Sequence, residues 1–399
     1  MGTNRYIYVP RRQVIRGLLA TAAFGATSKL WTGCSSSPSN TASTEGATTG
    51  TGASSGKPIT IGFIYNAPKD DYGWNQAQAK GAEAIKTIPG IKVIEQESVP
   101  ETKEVQEVMR NMIDQDGATV LVPTSFGYFD PHVLEVAKDY PEVQFFHSGT
   151  LWKEGMPKNV GSYFALIDEG QYLAGRIAAK VSKTGKIGFV GAKPINPVLR
   201  NINSFMLGAR SVKPDTKMQV IFTGDWSLPV KEAEATNSLA DQGVDVIAVH
   251  VDSPKVVIET AEKRGVFSSG FHSDQSALAP KGYLTGTMYN WPTIQKQYVE
   301  WLQAGKTLMN GGIPHQVLGG IAEDYISMAT FGPAVTDAMK QDLETTKEKI
   351  AKGSLKVYTG AIEDNTGKTR IPAGKAYAVT APELTQIDWL AEGVSGKTS

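Results

Sequence analysis

From Lys57 onward the chain alternates short apolar runs with amphipathic stretches, and this alternation restricts its fold more than any other feature. "ITIGFIY" precedes "NQAQAKGAEAIKTI". "KVIEQES" precedes "TKEVQEVMRNMIDQDG", where Val105, Val108, Met109 and Met112 recur at helical spacing. "ATVLVPTS", the helical "DPHVLEVAKDY" and "VQFFHSG" continue the series. Strands separated by helices pair in parallel, and a parallel sheet is covered by helices on both faces. The series restarts near residue 166 with "EGQYLAGRIAAKVSK", whose small residues suit close helix packing, then "KIGFVGA", "MQVIFTG", "VDVIAVH" and "VFSSGFH" between further helices. The expected fold class is therefore α/β: two doubly wound lobes with a ligand cleft between them. Expected bounds are 57–165 with 284–320 for the N-terminal lobe, and 166–283 with 321–399 for the C-terminal lobe. "KVYTGAIEDNTGKTRIPAG" predicts a hairpin around Asn-Thr-Gly near the end.

The segment before this body reads as an address. Arg11 and Arg12 form a twin-arginine pair, "GLLATAAFGA" is a short apolar stretch, and "WTGC" resembles a lipoprotein cleavage box ending at Cys34. The stretch is too short to span a bilayer comfortably, which takes about 20 apolar residues. Residues 1–33 are the expected signal peptide and Cys34 the expected lipidation site. Residues 34–56, rich in Ser, Thr and Gly, are an expected flexible tether, because such a run buries too little apolar surface to fold. Cys34 is the chain's single cysteine, so an internal disulfide and a cysteine-rich metal site are both excluded. The basic residues of 1–33 are matched by no acid there, which leaves the remainder of this formally neutral chain slightly acidic. A nucleic-acid binder would carry a basic stripe instead. The five histidines show no metal-binding spacing, and no metal or cofactor is expected.

In open parallel sheets ligands sit at the carboxyl ends of strands. The loops there read "NAPKDDYGWN", "PTSFGYFDP", "TGDWSLP", "HVDSP", "FHSDQ" and "YNWP". They carry the aromatics Trp74, Phe126, Trp226 and Trp291 beside acids that include Asp70, Asp71, Asp225, Asp252 and Asp274. Recurrence in both halves points to a planar ligand held between ring faces, with carboxylates and amides reading its edge. One of Asp70 and Asp71 is expected to cap the following helix. No GxSxG elbow, phosphate-binding loop or GxGxxG is present, so no enzyme is expected.

The cleavage box, the tether, "DDYGWNQ", "FGYFDPHVLEVAKDYPEVQFFH", "NSFMLGARSVKP", "DQGVDVIAVHVDS" and "VYTGAIEDNTGK" together resemble the basic membrane protein (BMP) family, over roughly residues 58–390. The resemblance implies a type I periplasmic-binding fold. It also implies a lipid-anchored receptor on the outer face of a bacterial cell membrane that delivers a nucleoside or purine base to an ABC permease, as a monomer. The nucleoside branch carries Asp-Lys-Ser-Phe-Asn in its first loop. Here "DYGWN" puts Trp74 in place of the Phe and keeps Asn75. Asp274 matches the second Asp of a D-S-D-Q motif whose first Asp is His272 here. Where that branch has a ribose-reaching Lys, this chain offers Asn290 and Trp291. These departures imply a bare base such as adenine; a nucleoside, or another small solute such as an amide, is the alternative. Trp74 and Phe126 would then stack from one lobe. Trp226, Asp252 and Asp274 would come from the other, and Asn75, Ser125 and Asn290 would hydrogen-bond the edge. Hinges are expected near 166, 283 and 320.

Overall fold

The computed structural model describes residues 58–398. The expected signal peptide, Cys34 and the tether lie outside them. The first series of strands is β1 (Ile59–Ile64), β2 (Ile91–Gln96), β3 (Val120–Pro123), β4 (Gln144–Ser148) and β5 (Val160–Ala165). Helices α1 (Trp74–Lys86), α2 (Glu104–Asp114) and α3 (Leu134–Asp139) connect its early members. The second series begins with α4 (Asp168–Val181). It continues with β6 (Lys186–Gly191), α5 (Asn196–Arg210), β7 (Lys217–Phe222), α6 (Pro229–Asp241), β8 (Val246–His250), α7 (Lys255–Lys263), β9 (Phe267–His272) and β10 (Tyr283–Tyr289). Then α8 (Trp291–Gln303) and β11 (Gln316–Gly319) return to the first lobe, and β12 (Ile326–Met328) and α9 (Asp337–Ala351) to the second.

The first sheet is wholly parallel, in the order β11-β5-β4-β3-β1-β2. The second runs β12-β10-β9-β8-β6-β7 and ends on the short strand Val394–Ser395; β12 alone is antiparallel. Every residue of β3, β4 and β8 is buried, as both-face coverage by helices demands. The close helix pair predicted from small residues is α4 with α5. An added Cβ on Gly175 would lie 2.0 Å from the Phe205 carbonyl oxygen, and one on Gly208 would lie 1.9 Å from that of Tyr172. The predicted hairpin is present, Ile362–Glu363 pairing with Thr369–Ile371.

The chain crosses between lobes at Leu166–Ile167, at Asn290 and between Gly319 and Ile326. The second crossing corrects the expected boundary at 284. Strand β10 pairs with β9 and β12 inside the second sheet, and only α8 packs on α1 of the first lobe. A buried strand has the same apolar pattern in either sheet, so periodicity alone does not assign it. Asn290 braces this crossing: its Nδ2 donates to Thr293 Oγ1 at 2.9 Å and to the Asp324 carbonyl at 2.8 Å.

Candidate functional site

The loop between β1 and α1 reaches out of the first lobe into the second. Asp71 organises it, accepting from the backbone N–H of Gly73 (2.7 Å), Asn75 (3.0 Å) and Gln76 (3.0 Å), which would otherwise be unpaired at a helix start. Of the two adjacent acids, Asp71 is therefore the cap. The loop then docks through its main chain. Trp74 N–H donates to the Asp252 carbonyl at 2.9 Å, Ser253 Oγ donates to the Asp71 carbonyl at 2.6 Å, and Gln275 Nε2 donates to the Tyr72 carbonyl at 2.6 Å. These three bonds hold the strand ends of the two sheets together, and a cavity of about 460 Å³ lies between them, open on one side. That size lies within the roughly 300–1,000 Å³ of small-molecule sites.

Five of the nine expected site residues line this cavity: Trp74, Ser125, Phe126, Trp226 and Asp252. Trp74 is half-buried. Its Nε1 donates to the Thr124 carbonyl at 3.1 Å, and its ring meets Tyr289 at 5.5 Å and His272 at 5.7 Å, both edge-on. Phe126 stands at the mouth, 45% exposed. Ser125 turns its hydroxyl onto the Glu101 carboxylate, which also accepts from Gly127 N–H at 3.0 Å. The Trp226 carbonyl accepts from Asp252 N–H at 2.8 Å and so sets the position of that acid.

The other four lie outside the cavity. Trp291 is fully buried behind it, stacked on Tyr289 at 4.4 Å and 15° and edge-on to Tyr163 at 5.4 Å. Asn75 is buried in α1, its Nδ2 donating to Asp71 at 2.9 Å. Asp274 caps its own loop: it accepts from Ser276 N–H at 2.9 Å and from Thr330 Oγ1 at 2.5 Å. Asn290 serves the crossing described above. Asp274 and Asn290 are held by hydrogen-bond partners and Trp291 by the core, while Asn75 keeps a buried Oδ1 without a partner.

Several lining residues lie outside the nine expected ones. Tyr289 and Phe164 complete the aromatic wall. His250 and His272, at the ends of β8 and β9, line it as well. His250 Nδ1 faces Asn201 Nδ2 at 3.0 Å and His272 Nε2 faces the Val251 carbonyl at 3.0 Å. Burial lowers His250 to about 3 and holds His272 well below the usual histidine range, so both are neutral. At the far end Arg200 bridges Asp168 (2.8 Å) and the Val379 carbonyl (3.0 Å), while its Nε has no partner. The Asp252 carboxyl has no hydrogen-bond or ion-pair partner among the described residues. Burial first, then the carboxylates of Asp71, Glu101, Asp225 and Glu232, push it up to about 8.

Two doubly wound lobes latched over one small cavity define a type I periplasmic-binding solute receptor. Residues 59–359 match the family described as Bmp, ABC transporter substrate-binding protein PnrA-like, and the chain belongs to that family. It is 36% identical over 320 residues to a purine-binding protein of Brucella abortus, covering 79% of this chain and 88% of that one. It is 30% identical over 335 residues to a putative ABC transporter glucose-binding protein of Haloferax volcanii, covering 81% and 83%. A solved solute-binding protein of an ABC transporter from Conexibacter woesei shares the fold, with a TM-score of 0.63 at 20% identity over 75% of this chain and 98% of that chain. The protein is thus the extracytoplasmic substrate-binding component of an ABC transporter; it hands a small solute to a membrane permease and is not an enzyme. Among the described residues no helix is long and apolar enough to cross a membrane.

Proposed function

We propose that the protein is a monomeric, lipid-anchored receptor that closes on a purine base. One observation carries this reading: rings from both lobes wall the cavity, with the unpaired carboxyl of Asp252 among them. Ring faces reward a flat heteroaromatic ligand, about 1–3 kcal/mol for each stacked base. A polar group with no protein partner is free to pair with a ligand. The purine-binding relative from Brucella abortus supports the same reading. The cavity also extends to Arg200 and Asn201, which gives polar partners to a sugar, so nucleosides belong in the test.

Residues 57–399 should be titrated calorimetrically with adenine, hypoxanthine, guanine, their nucleosides, glucose and simple amides. The reading expects the purines to bind at micromolar concentration or tighter. Binding of glucose or an amide, with all purines silent at millimolar concentration, would overturn it. For the anchor, Cys34→Ala in the full chain should move the exported protein from the membrane fraction to the soluble one. An unchanged distribution would show that Cys34 carries no lipid.

A further inference from the structure

The aromatic wall accounts for a flat ligand but not for Asp252, the one acid in the cavity that the fold leaves unpaired. The groups that face it are nearly all acids or neutral. Asp71 approaches from the loop before α1, Glu101 from the loop before α2 and Glu232 from α6. Asp225, after β7, is already paired with Lys193 at 2.7 Å. His250 and His272 flank it from β8 and β9 as neutral rings, and Tyr289 faces it from β10. Lys231 lies beside Asp225, and Lys255 of α7 sits over the Tyr72 ring at 5.5 Å; neither forms an ion pair with Asp252. Arg200 and Lys153 also line the cavity, but Arg200 is paired with Asp168 at 2.8 Å and neither forms an ion pair with Asp252. Carboxylates on several sides with no cation bound to Asp252 make a poor place for another negative charge.

We propose that Asp252 meets the ligand as a neutral carboxylic acid, donating through one oxygen and accepting through the other. It thereby reads an edge that sets one donor beside one acceptor. This inference rests on the purine reading. The amino group and adjacent ring nitrogen of adenine form such an edge, the one that Asn and Gln amides pair with in DNA. A protonated carboxyl has nearly the same shape as an amide and offers the same donor–acceptor pair. An ionised carboxylate would instead accept twice and would prefer two adjacent donors. The two protonation states therefore make opposite demands on the ligand.

The experiment compares the wild type with Asp252→Asn and Asp252→Ala by calorimetry against adenine from pH 6 to pH 8.5, after circular dichroism has shown that all three fold. Wild-type affinity is expected to fall about fourfold across that range, because binding a neutral acid takes up a proton above its pKa. Asp252→Asn should bind within about threefold of wild type at pH 6 and be flat with pH, since its amide mimics the neutral acid. Asp252→Ala should bind tenfold or more weakly at pH 6. Affinity that rises with pH, or an Asn variant as weak as the Ala variant, overturns this inference and leaves the purine reading intact. No binding of any purine at any pH removes both.

Discussion

Trp74 and Trp291 show what a residue's surroundings add to its type. Both follow strands, both sit among polar loop residues, and both start a helix. Trp74 faces the cavity, whereas Trp291 is sealed beneath Tyr289. Trp74→Ala should weaken ligand binding about tenfold through lost stacking, with a small change in melting temperature. Trp291→Ala should cost about 3–5 kcal/mol of stability, because it empties a large buried volume. Urea denaturation and calorimetry on the two variants separate the roles, and a swap of the two phenotypes would reverse the assignment. The sequence identified the aromatic strand ends as a group. It could not rank them, because the direction of a ring depends on partners such as Tyr163 and Phe164 that are distant in sequence. The same limit explains Asp274, whose carboxylate is taken by the distant Thr330. It also explains why His250 and His272, visible at strand ends, gave no clue to their neutral state.

Among the elements, the loop that ends at Gly73 joins the two lobes. A Cβ on Gly73 would lie 1.8 Å from the Asp252 carbonyl oxygen, inside the contact that joins the lobes. Gly73→Ala should therefore hold the lobes apart while leaving each lobe folded. Small-angle scattering with saturating ligand should show no compaction, and affinity should drop at least tenfold, because a ligand favours the closed state only through contacts made there. Normal compaction would mean that the loop can re-route. Alternation of strand and helix was legible over most of the chain, since periods of 2 and 3.6 are local properties, but the short strands β5, β11 and β12 were not read. Membership in one sheet or the other was not legible. The stretch from 284 was expected in the first lobe, and its pairing with β9 places that strand in the second sheet.

The whole molecule holds several buried ionisable groups whose pH responses oppose one another. Burial lowers His147 to about 4 and His250 to about 3, and holds His272 well below its ordinary value. Below about pH 6.5 an unfolded chain takes up protons at these sites that the native state refuses, so they destabilise the fold as pH falls. Glu169, pushed up to about 8 by burial first, acts the other way: the fold loses stability as pH rises from the ordinary carboxylate range to about 8. Total stability blends these terms, so a difference between variants is the cleaner measure. His147 sits in the first lobe directly behind the cavity lining, its Nε2 facing the Ser125 carbonyl at 2.9 Å. His147→Gln, relative to wild type, should gain about 1.4 kcal/mol for each pH unit below 6.5. Parallel stability curves between pH 6.5 and pH 5 would show that His147 is charged in the native state.

The latch between the lobes uses main-chain carbonyls of Asp71, Tyr72 and Asp252 as its acceptors, and a main-chain N–H as one donor. Those groups are the same whatever side chains they carry. Residues that face the cavity can therefore drift over evolutionary time without disturbing the act of shutting. Such a scaffold can inherit its motion and reinvent its cargo.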